Sequence, residues 1–339
     1  MRLSTRIGAF VLAMVMVALL AACAGGTEPD TPKPVDENAA ISWQSKEFEL
    51  LVRMLLKIPD ETSVKPSDLD GIEHIRILDL GGIGIEFGWE NMEIDQDFDI
   101  NEANTISYIF DWSNPSTLTD LLPGNDLRYF KHLKTLMIQG CNIPNSALLE
   151  RLTELRGLCL INCQVNTASF MENMKELQIA ILTRNNISNI SAIHDLPKLA
   201  VLNLNSNKIA EVSGLSGLPA LRTLVLTDNQ IADPSPIPTL PALEMLYLDY
   251  NRITSIYGLK DQPTVWWLNI ASNQLSDISP LNAFSGPLTR LHINDNQIVD
   301  ISPVAHFSAT LNELYIAENP IADFSPLGSL LPDCAVIGD

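Results

Sequence analysis

Between Leu133 and Ile321 an eleven-residue phrase, L-x-x-L-x-L-x-x-N-x-I, recurs nine times, beginning at Leu133, Leu155, Leu177, Leu199, Leu221, Leu243, Val265, Leu288 and Leu311. Six successive spacings are 22 residues and the last two are 23. A period in the twenties overrides any reading of helices and strands one at a time. A single unit has nothing against which to bury its leucines, so neighbours must stack and share one aliphatic core. Residues around the fourth and sixth positions alternate inward and outward, the period of a short strand. Successive strands then make a parallel sheet at roughly 4.8 Å per repeat. At the ninth position stand Asn185, Asn207, Asn229, Asn251, Asn273, Asn296 and Asn319. There the chain turns inward and takes backbone N–H and C=O groups away from water, and an amide side chain can both donate and accept. The return path carries Asp277-Ile278-Ser279-Pro280-Leu281, Asp300-Ile301-Ser302-Pro303-Val304 and Asp323-Phe324-Ser325-Pro326-Leu327. Proline and serine there suit a tight 3₁₀-like turn better than a long helix.

This phrase and period resemble the leucine-rich repeat, and the D-I-S-P-L return of a 22-residue unit is similar to the internalin-type repeat of bacterial surface proteins. The resemblance implies an α/β repeat solenoid: a right-handed superhelix with a parallel concave β-sheet, a helical N-terminal cap and short 3₁₀ or irregular convex segments. Residues 41–74 fit the cap. Phe48, Leu51, Val52, Leu55 and Leu56 recur at helical steps, Pro59 stops the run, and Lys65-Pro66-Ser67-Asp68 starts a second short helix. Lys57-Ile58-Pro59 followed by Asp68-Leu69 also resembles the cap of internalin-like proteins. Ile75, Leu78, Leu80, Ile83 and Ile85 then take the offsets of a first repeat. Residues 75–132 read as two irregular repeats with an acidic insertion between them, Ile106 to Asp111 being a degenerate strand. Residues 133–330 hold the nine regular repeats. In 331–339, Leu331, Cys334 and Val336 repeat the first three core offsets and predict a closing strand.

Residues 1–22 have the layout of an export signal: Arg2 and Arg6, the apolar run Ile7 to Leu20, then small residues. The 14-residue run is short for a membrane span. Leu20-Ala21-Ala22-Cys23 resembles the lipobox of bacterial lipoproteins at every position. That resemblance implies cleavage before Cys23 and a diacylglyceryl group on its sulfur, placing the protein on the outer face of a bacterial cell membrane. More than one acyl chain makes such attachment stable. The alternative is ordinary cleavage nearby, for instance after Ala24. Residues 23–40 are rich in Pro, Gly, Thr and acid and read as a flexible tether.

The formal net charge of -20 argues against nucleic acid, whose phosphates need a basic stripe, and against docking of the protein surface on anionic lipid. The membrane partner is then the lipid anchor alone, and the chain is expected to act as a monomer. Five cysteines are too few and too scattered for a disulfide framework. Cys141 and Cys163 take the ninth position in adjacent units, which admits either a disulfide or two buried thiols, while Cys159 points to the concave side. His74, His132, His194, His292 and His306 share no short metal spacing, and no cysteine falls near a histidine in repeat register. Gly81-Gly82-Ile83-Gly84 completes no dinucleotide fingerprint, and Gly214-Leu215-Ser216-Gly217 lacks nucleophile-elbow spacing. No catalytic residue or resident cofactor is assigned. Between Arg76 and Arg128 there are eleven Asp or Glu and no Lys or Arg. Glu93, Asp95, Asp97 and Asp99 alternate with Ile94, Phe98 and Ile100, as oxygen ligands for Ca²⁺ or as a solvated edge. An EF-hand register from Asp95 fails at Ile100 and Ile106.

Function is expected on the concave face, at the third, fifth, seventh and eighth positions of each phrase. Early units place Thr135, Met137, Gln139, Gly157, Cys159 and Ile161 there. Later units give Met245, Tyr247, Asp249, Tyr250, Trp267, Asn269, Arg290, His292, Asn294, Asp295, Glu313 and Tyr315. Tyr, Trp and Arg dominate interface energetics when desolvated, so this cluster suits a protein partner. Stacking aromatics flanked by Asp and Asn also suit a cell-envelope glycan. The structural alternative is that strand aromatics pack on one another across the sheet.

Overall fold

The computed structural model describes residues 36, 38–43, 49, 52–53, 56–72, 74–79, 83–88, 105–110, 129–140, 143 and 146–338. The chain divides into two units, residues 1–166 with 173–179, and residues 167–172 with 180–339. Among the described residues no helix is long and apolar enough to cross a membrane.

In the first unit Val52, Val64, Leu69, Ile72 and Ile75 are buried. Helical backbone at Val52, Arg53 and Leu56 gives way to Lys57, whose φ of 54° ends the turn before Pro59. Arg53 closes this end: its Nη2 lies 2.6 Å from Glu49, one helical turn earlier, and its Nη1 donates to the Pro59 carbonyl at 3.0 Å. A 3₁₀ turn, Pro66–Leu69, begins where the Asp68 carboxylate accepts the Lys65 amide at 2.8 Å. Five strands follow: β1 (His74–Asp79), β2 (Ile83–Gly88), β3 (Thr105–Phe110), β4 (Thr135–Gln139) and β5 (Gly157–Ile161), in the order β5-β4-β1-β2-β3.

The early segment departs from the repeat. β4 and β5 pair parallel, as does β1 with β4, but β2 runs antiparallel to β1 and β3 antiparallel to β2. Ile83 and Ile85 therefore lie on a returning hairpin strand and not on the turn of a first repeat. Ile106 to Phe110 form a strand, but it pairs with β2 and takes no place in the parallel run. Asp79 pairs with Ile83, and the intervening Gly81-Gly82 has the composition of a tight reversal. Of the expected concave positions of this unit, Thr135 and Gly157 are buried and Cys159 is only 1% exposed, while Met137, Gln139 and Ile161 are half-exposed. β5, buried at four of its five positions, loses most of the wet side that the repeat register predicts.

The second unit continues with β6 (Ile179–Ile181, whose first residue falls in the first unit), β7 (Val201–Asn203), β8 (Thr223–Val225), β9 (Met245–Tyr247), β10 (Trp267–Asn269), β11 (Arg290–His292), β12 (Glu313–Tyr315) and β13 (Ala335–Ile337). They lie side by side in chain order, and β7 to β13 pair parallel with third position opposite third. From β6 to β12 the middle residue is buried and its two neighbours are half-exposed. The predicted leucines line the core, and the whole is a leucine-rich repeat solenoid.

The asparagine ladder has one repeating geometry. Asn229 Nδ2 donates to the carbonyls of Leu204 at 3.0 Å and Leu226 at 3.1 Å, while its Oδ1 accepts the Ile209 amide at 3.0 Å. Asn207 and Asn251 do the same one repeat away. In the first unit Cys163 offers a weaker version: its thiol donates to the carbonyls of Ile138 and Ile161, both at 3.3 Å. Sulfur leaves the accepting half undone, and the Ile143 amide bonds the Cys163 carbonyl instead. Cys163 is bonded to no other described cysteine. Cys141 lies outside the described residues.

The return paths are 3₁₀ turns at Ser279–Ala283, Ser302–Phe307 and Ser325–Ser329. Asp277, Asp300 and Asp323 start them by accepting the amide of the serine two residues on. Proline at the second position fits because a first-turn N–H has no helical acceptor. The final strand corrects the sequence register: Val336 pairs with Leu314 and so holds the fourth position, not the sixth. β13 extends the sheet without sealing the core, for Val336 is 38% exposed.

Candidate functional site

Register converts the outward positions of β8 to β12 into two rows. The third-position row is Thr223, Met245, Trp267, Arg290 and Glu313; the fifth is Val225, Tyr247, Asn269, His292 and Tyr315. All ten are half-exposed. Cross-strand and diagonal neighbours at this spacing are within reach of aromatic rings.

Trp267 is the centre. Its ring lies 5.1 Å from that of Tyr247 and 6.1 Å from that of His292, and His292 continues to Tyr315 at 4.2 Å. The Arg290 guanidinium sits over Trp267 at 4.9 Å. Glu313 bridges two neighbours, with Arg290 Nε at 3.4 Å and His292 Nε2 at 2.9 Å. The aromatics thus pack on one another and also present one contiguous half-open surface across four strands. Met245 supports the edge, where Tyr247 Oη donates to its sulfur at 3.8 Å. Burial raises the Tyr247 phenol above its ordinary value, against the pull of Arg290. The indole Nε1 of Trp267 is buried without a hydrogen-bond partner, which costs about 1–3 kcal/mol at this spot.

Two predicted site residues, Asp249 and Tyr250, are placed differently from the rest. Asp249 is only 9% exposed, although the seventh positions Thr227 and Asn294 of neighbouring repeats are half-exposed. Thr227 donates its hydroxyl to Asp249 at 2.7 Å, and burial raises the Asp249 carboxyl above its ordinary value, with Asp228 adding to the rise and His292 opposing it. Tyr250 lies past the strand, in left-handed backbone at φ 54°, and is 62% exposed. The same conformation recurs at the eighth position in Arg184, Ser206, Asp228, Ser272, Asp295 and Glu318. These eighth positions form a rim beside the strand face. Asn269 spends its Oδ1 on the Ala271 amide at 3.2 Å, shaping the chain after the strand.

Sequence reasoning placed Glu313 on this face but left out Trp266 and Thr227. Trp266 stacks on Trp267 at 5.9 Å. The usable signal was its position: the second residue is Arg222, Glu244, Thr289 or Asn312 in neighbouring units, so tryptophan there stands out. Asp95, Asp97, Asp99 and Cys23 lie outside the described residues. Among the described residues no group of three or more His, Cys, Asp or Glu is arranged to hold a metal.

Residues 175–231 match the leucine rich repeat family, and residues 219–261 match the leucine rich repeats (2 copies) family. No curated protein shows a significant match. Among solved structures, an internalin (inlF) from Listeria monocytogenes is 23% identical with a TM-score of 0.64, covering 87% of this chain and 75% of that one. An internalin C2 from the same organism is 31% identical with a TM-score of 0.51, covering 66% of this chain and 86% of that one. The leucine-rich repeat ectodomain of the Arabidopsis thaliana receptor kinase GASSHO1/SCHENGEN3, solved with casparian strip integrity factor 2, is 19% identical with a TM-score of 0.52, covering 63% and 27%. Repeat phrase, asparagine ladder, parallel sheet and the internalin C2 match together make this chain an internalin-like member of the leucine-rich repeat family.

Proposed function

We propose that this is an exported, lipid-anchored bacterial surface protein that recognises a protein partner through the outward sheet face of β9 to β12. The aromatic–arginine surface centred on Trp267 carries the reading, because Tyr, Trp and Arg are the side chains that concentrate binding energy at interfaces. The family supports it: leucine-rich repeat proteins generally mediate protein–protein interaction, and a receptor ectodomain of similar fold was solved with its partner. Adhesion or host contact is the finer role, and the lipobox-like Leu20-Ala21-Ala22-Cys23 supports anchoring at the membrane.

One experiment with two arms tests this. The soluble domain from residue 41 onward is passed over protein and glycan arrays, with and without calcium, beside Trp267→Ala/Tyr247→Ala. Loss of protein capture at an unchanged melting transition is expected; capture that survives places the site elsewhere, and capture confined to glycans replaces the protein reading. In the second arm the full chain and Cys23→Ser are expressed with a labelled fatty acid. Label and membrane fractionation that both disappear in the variant are expected, and unaltered fractionation refutes the anchor.

A further inference from the structure

The rim beside the aromatic surface is one-sided in charge. Successive eighth positions read Asp228, Tyr250, Ser272, Asp295 and Glu318, each at a left-handed turn and each on the same side of the strands. The chain spacing of a parallel sheet sets them roughly 4.8 Å apart. Asp228 and Asp295 are exposed and make no ion pair among the described residues. Of the arginines near this face, Arg222 lies 2.6 Å from Glu244 and Arg290 lies 3.4 Å from Glu313, while Arg252, two residues past Tyr250, is exposed. Asp249 stands one residue from Tyr250, buried and repelled by Asp228, so two carboxylates disfavour each other beside an exposed ring.

The aromatic surface itself already holds a cation, for Arg290 lies on the Trp267 ring. Guanidinium and ammonium groups are attracted to the faces of Trp and Tyr. Arg290 also weighs against a stacked sugar, since it occupies a ring face that a sugar would need, while Tyr247 and His292 press on Trp267 from either side. The exposed ring left beside the acids is Tyr250.

We propose that the occupant of this face is a basic segment of a partner protein. Its Lys or Arg side chains run along Asp228, Tyr250 and Asp295, and its apolar groups cover Tyr247, Trp267 and Tyr315. This rests on the reading of the face as a protein-recognition surface and adds the chemistry of what is recognised. Opposite charge at a rim speeds association and rejects acidic partners, and its effect weakens with salt.

The test uses three synthetic peptides with the same Leu and Tyr content and with Lys/Arg, Gln or Glu between them, titrated into the soluble domain by calorimetry. The basic peptide is expected to bind, with affinity falling about tenfold or more in Asp228→Asn/Asp295→Asn and in Tyr250→Ala. Removing the same charge from exposed return-path acids, Glu211→Gln/Asp261→Asn, is expected to change affinity less than about twofold, which separates a site from the attraction of an acidic protein for any cation. Equal binding of the Gln peptide, or equal loss in both charge variants, overturns the proposal. The two readings part on the protein array: capture lost in Trp267→Ala/Tyr247→Ala but kept in Asp228→Asn/Asp295→Asn removes the basic partner and keeps the face. Capture kept in both variants removes both.

Discussion

At the residue scale, asparagine at the ninth position is the chemical keystone of each turn. Asn229 satisfies two carbonyls and one amide that the inward turn takes from water. Replacing it with alanine strands three buried backbone groups, each worth about 1–3 kcal/mol when unmet. Asn229→Ala is expected to destabilise by at least about 2 kcal/mol, with Asn229→Cys between the two because a thiol keeps only the donor, as Cys163 does. Denaturant titration followed by circular dichroism checks the order, and an alanine variant as stable as the parent would refute the ladder's role. This position was plain in the sequence because its chemistry repeats. Asp249 was not: its repeat offset marks it outward, as for half-exposed Thr227 and Asn294, yet it is 9% exposed and accepts the Thr227 hydroxyl, a contact no offset encodes.

The carboxyl of Asp249 gives a pH signature of its own. Its folded pKa is raised by burial, so between the unfolded and folded values the native state holds more protons and stability rises as pH falls. Above the folded value the buried charge is a net cost. Asp300 and Asp323 behave oppositely: backbone hydrogen bonds from Ser302 and Ser325 lower them, so their contribution is lost as pH falls through their folded values. Asp249→Asn keeps an acceptor for Thr227 and is expected to be at least as stable as the parent at pH 7. That advantage shrinks as pH descends through the window above the ordinary carboxylate range. Melting curves across pH measure it, and a gap independent of pH would contradict the assignment.

At the element scale, each regular unit is a short strand, a tight inward turn and a 3₁₀ return, and the core is only as good as the layer on either side. Leu224 has 0% exposure between two such layers, so Leu224→Ala is expected to cost about 2–5 kcal/mol through the cavity it leaves. Val336 holds the equivalent fourth position in β13 but lacks a layer beyond it among the described residues. Val336→Ala is therefore expected to cost under about 1 kcal/mol by the same denaturant titration, since the loss scales with buried area. Equal losses would mean that β13 is covered. The elements hidden from sequence reading are those without the period. β2 carries Ile83 and Ile85 at repeat offsets, yet its antiparallel pairing with β1 is fixed by a reversal that the repeat register conceals. The last strand shifted for a related reason: Leu331, Cys334 and Val336 fit the offsets by spacing alone, and hydrogen bonding to β12 selects another register.

At the scale of the whole molecule, the fold follows from repetition, while the surface depends on what repetition does not specify. Any aliphatic set at the core offsets would stack; the third, fifth and eighth positions are free to vary, and there this chain places Tyr247, Tyr250, Trp267, Arg290, His292 and Tyr315. Their grouping on one face was legible from period and parity. Their mutual contacts were not, because ring packing, the Arg290–Trp267 stack and the Glu313 bridge depend on side-chain directions that no offset encodes. A net charge of -20 gives that surface its setting, with Asp228, Asp295 and Glu318 on the rim and Arg290 on the strand face held by Glu313.

Site-specific photo-crosslinking tests the location of recognition most directly. A photoreactive amino acid is placed at Tyr250 on the rim, at Tyr315 on the strand face, or at Asn282 on the exposed return path, and the array-captured partner is added. Covalent adducts from the positions of Tyr250 and Tyr315, with none from that of Asn282, are expected. Adducts from Asn282 alone would contradict recognition by the sheet face.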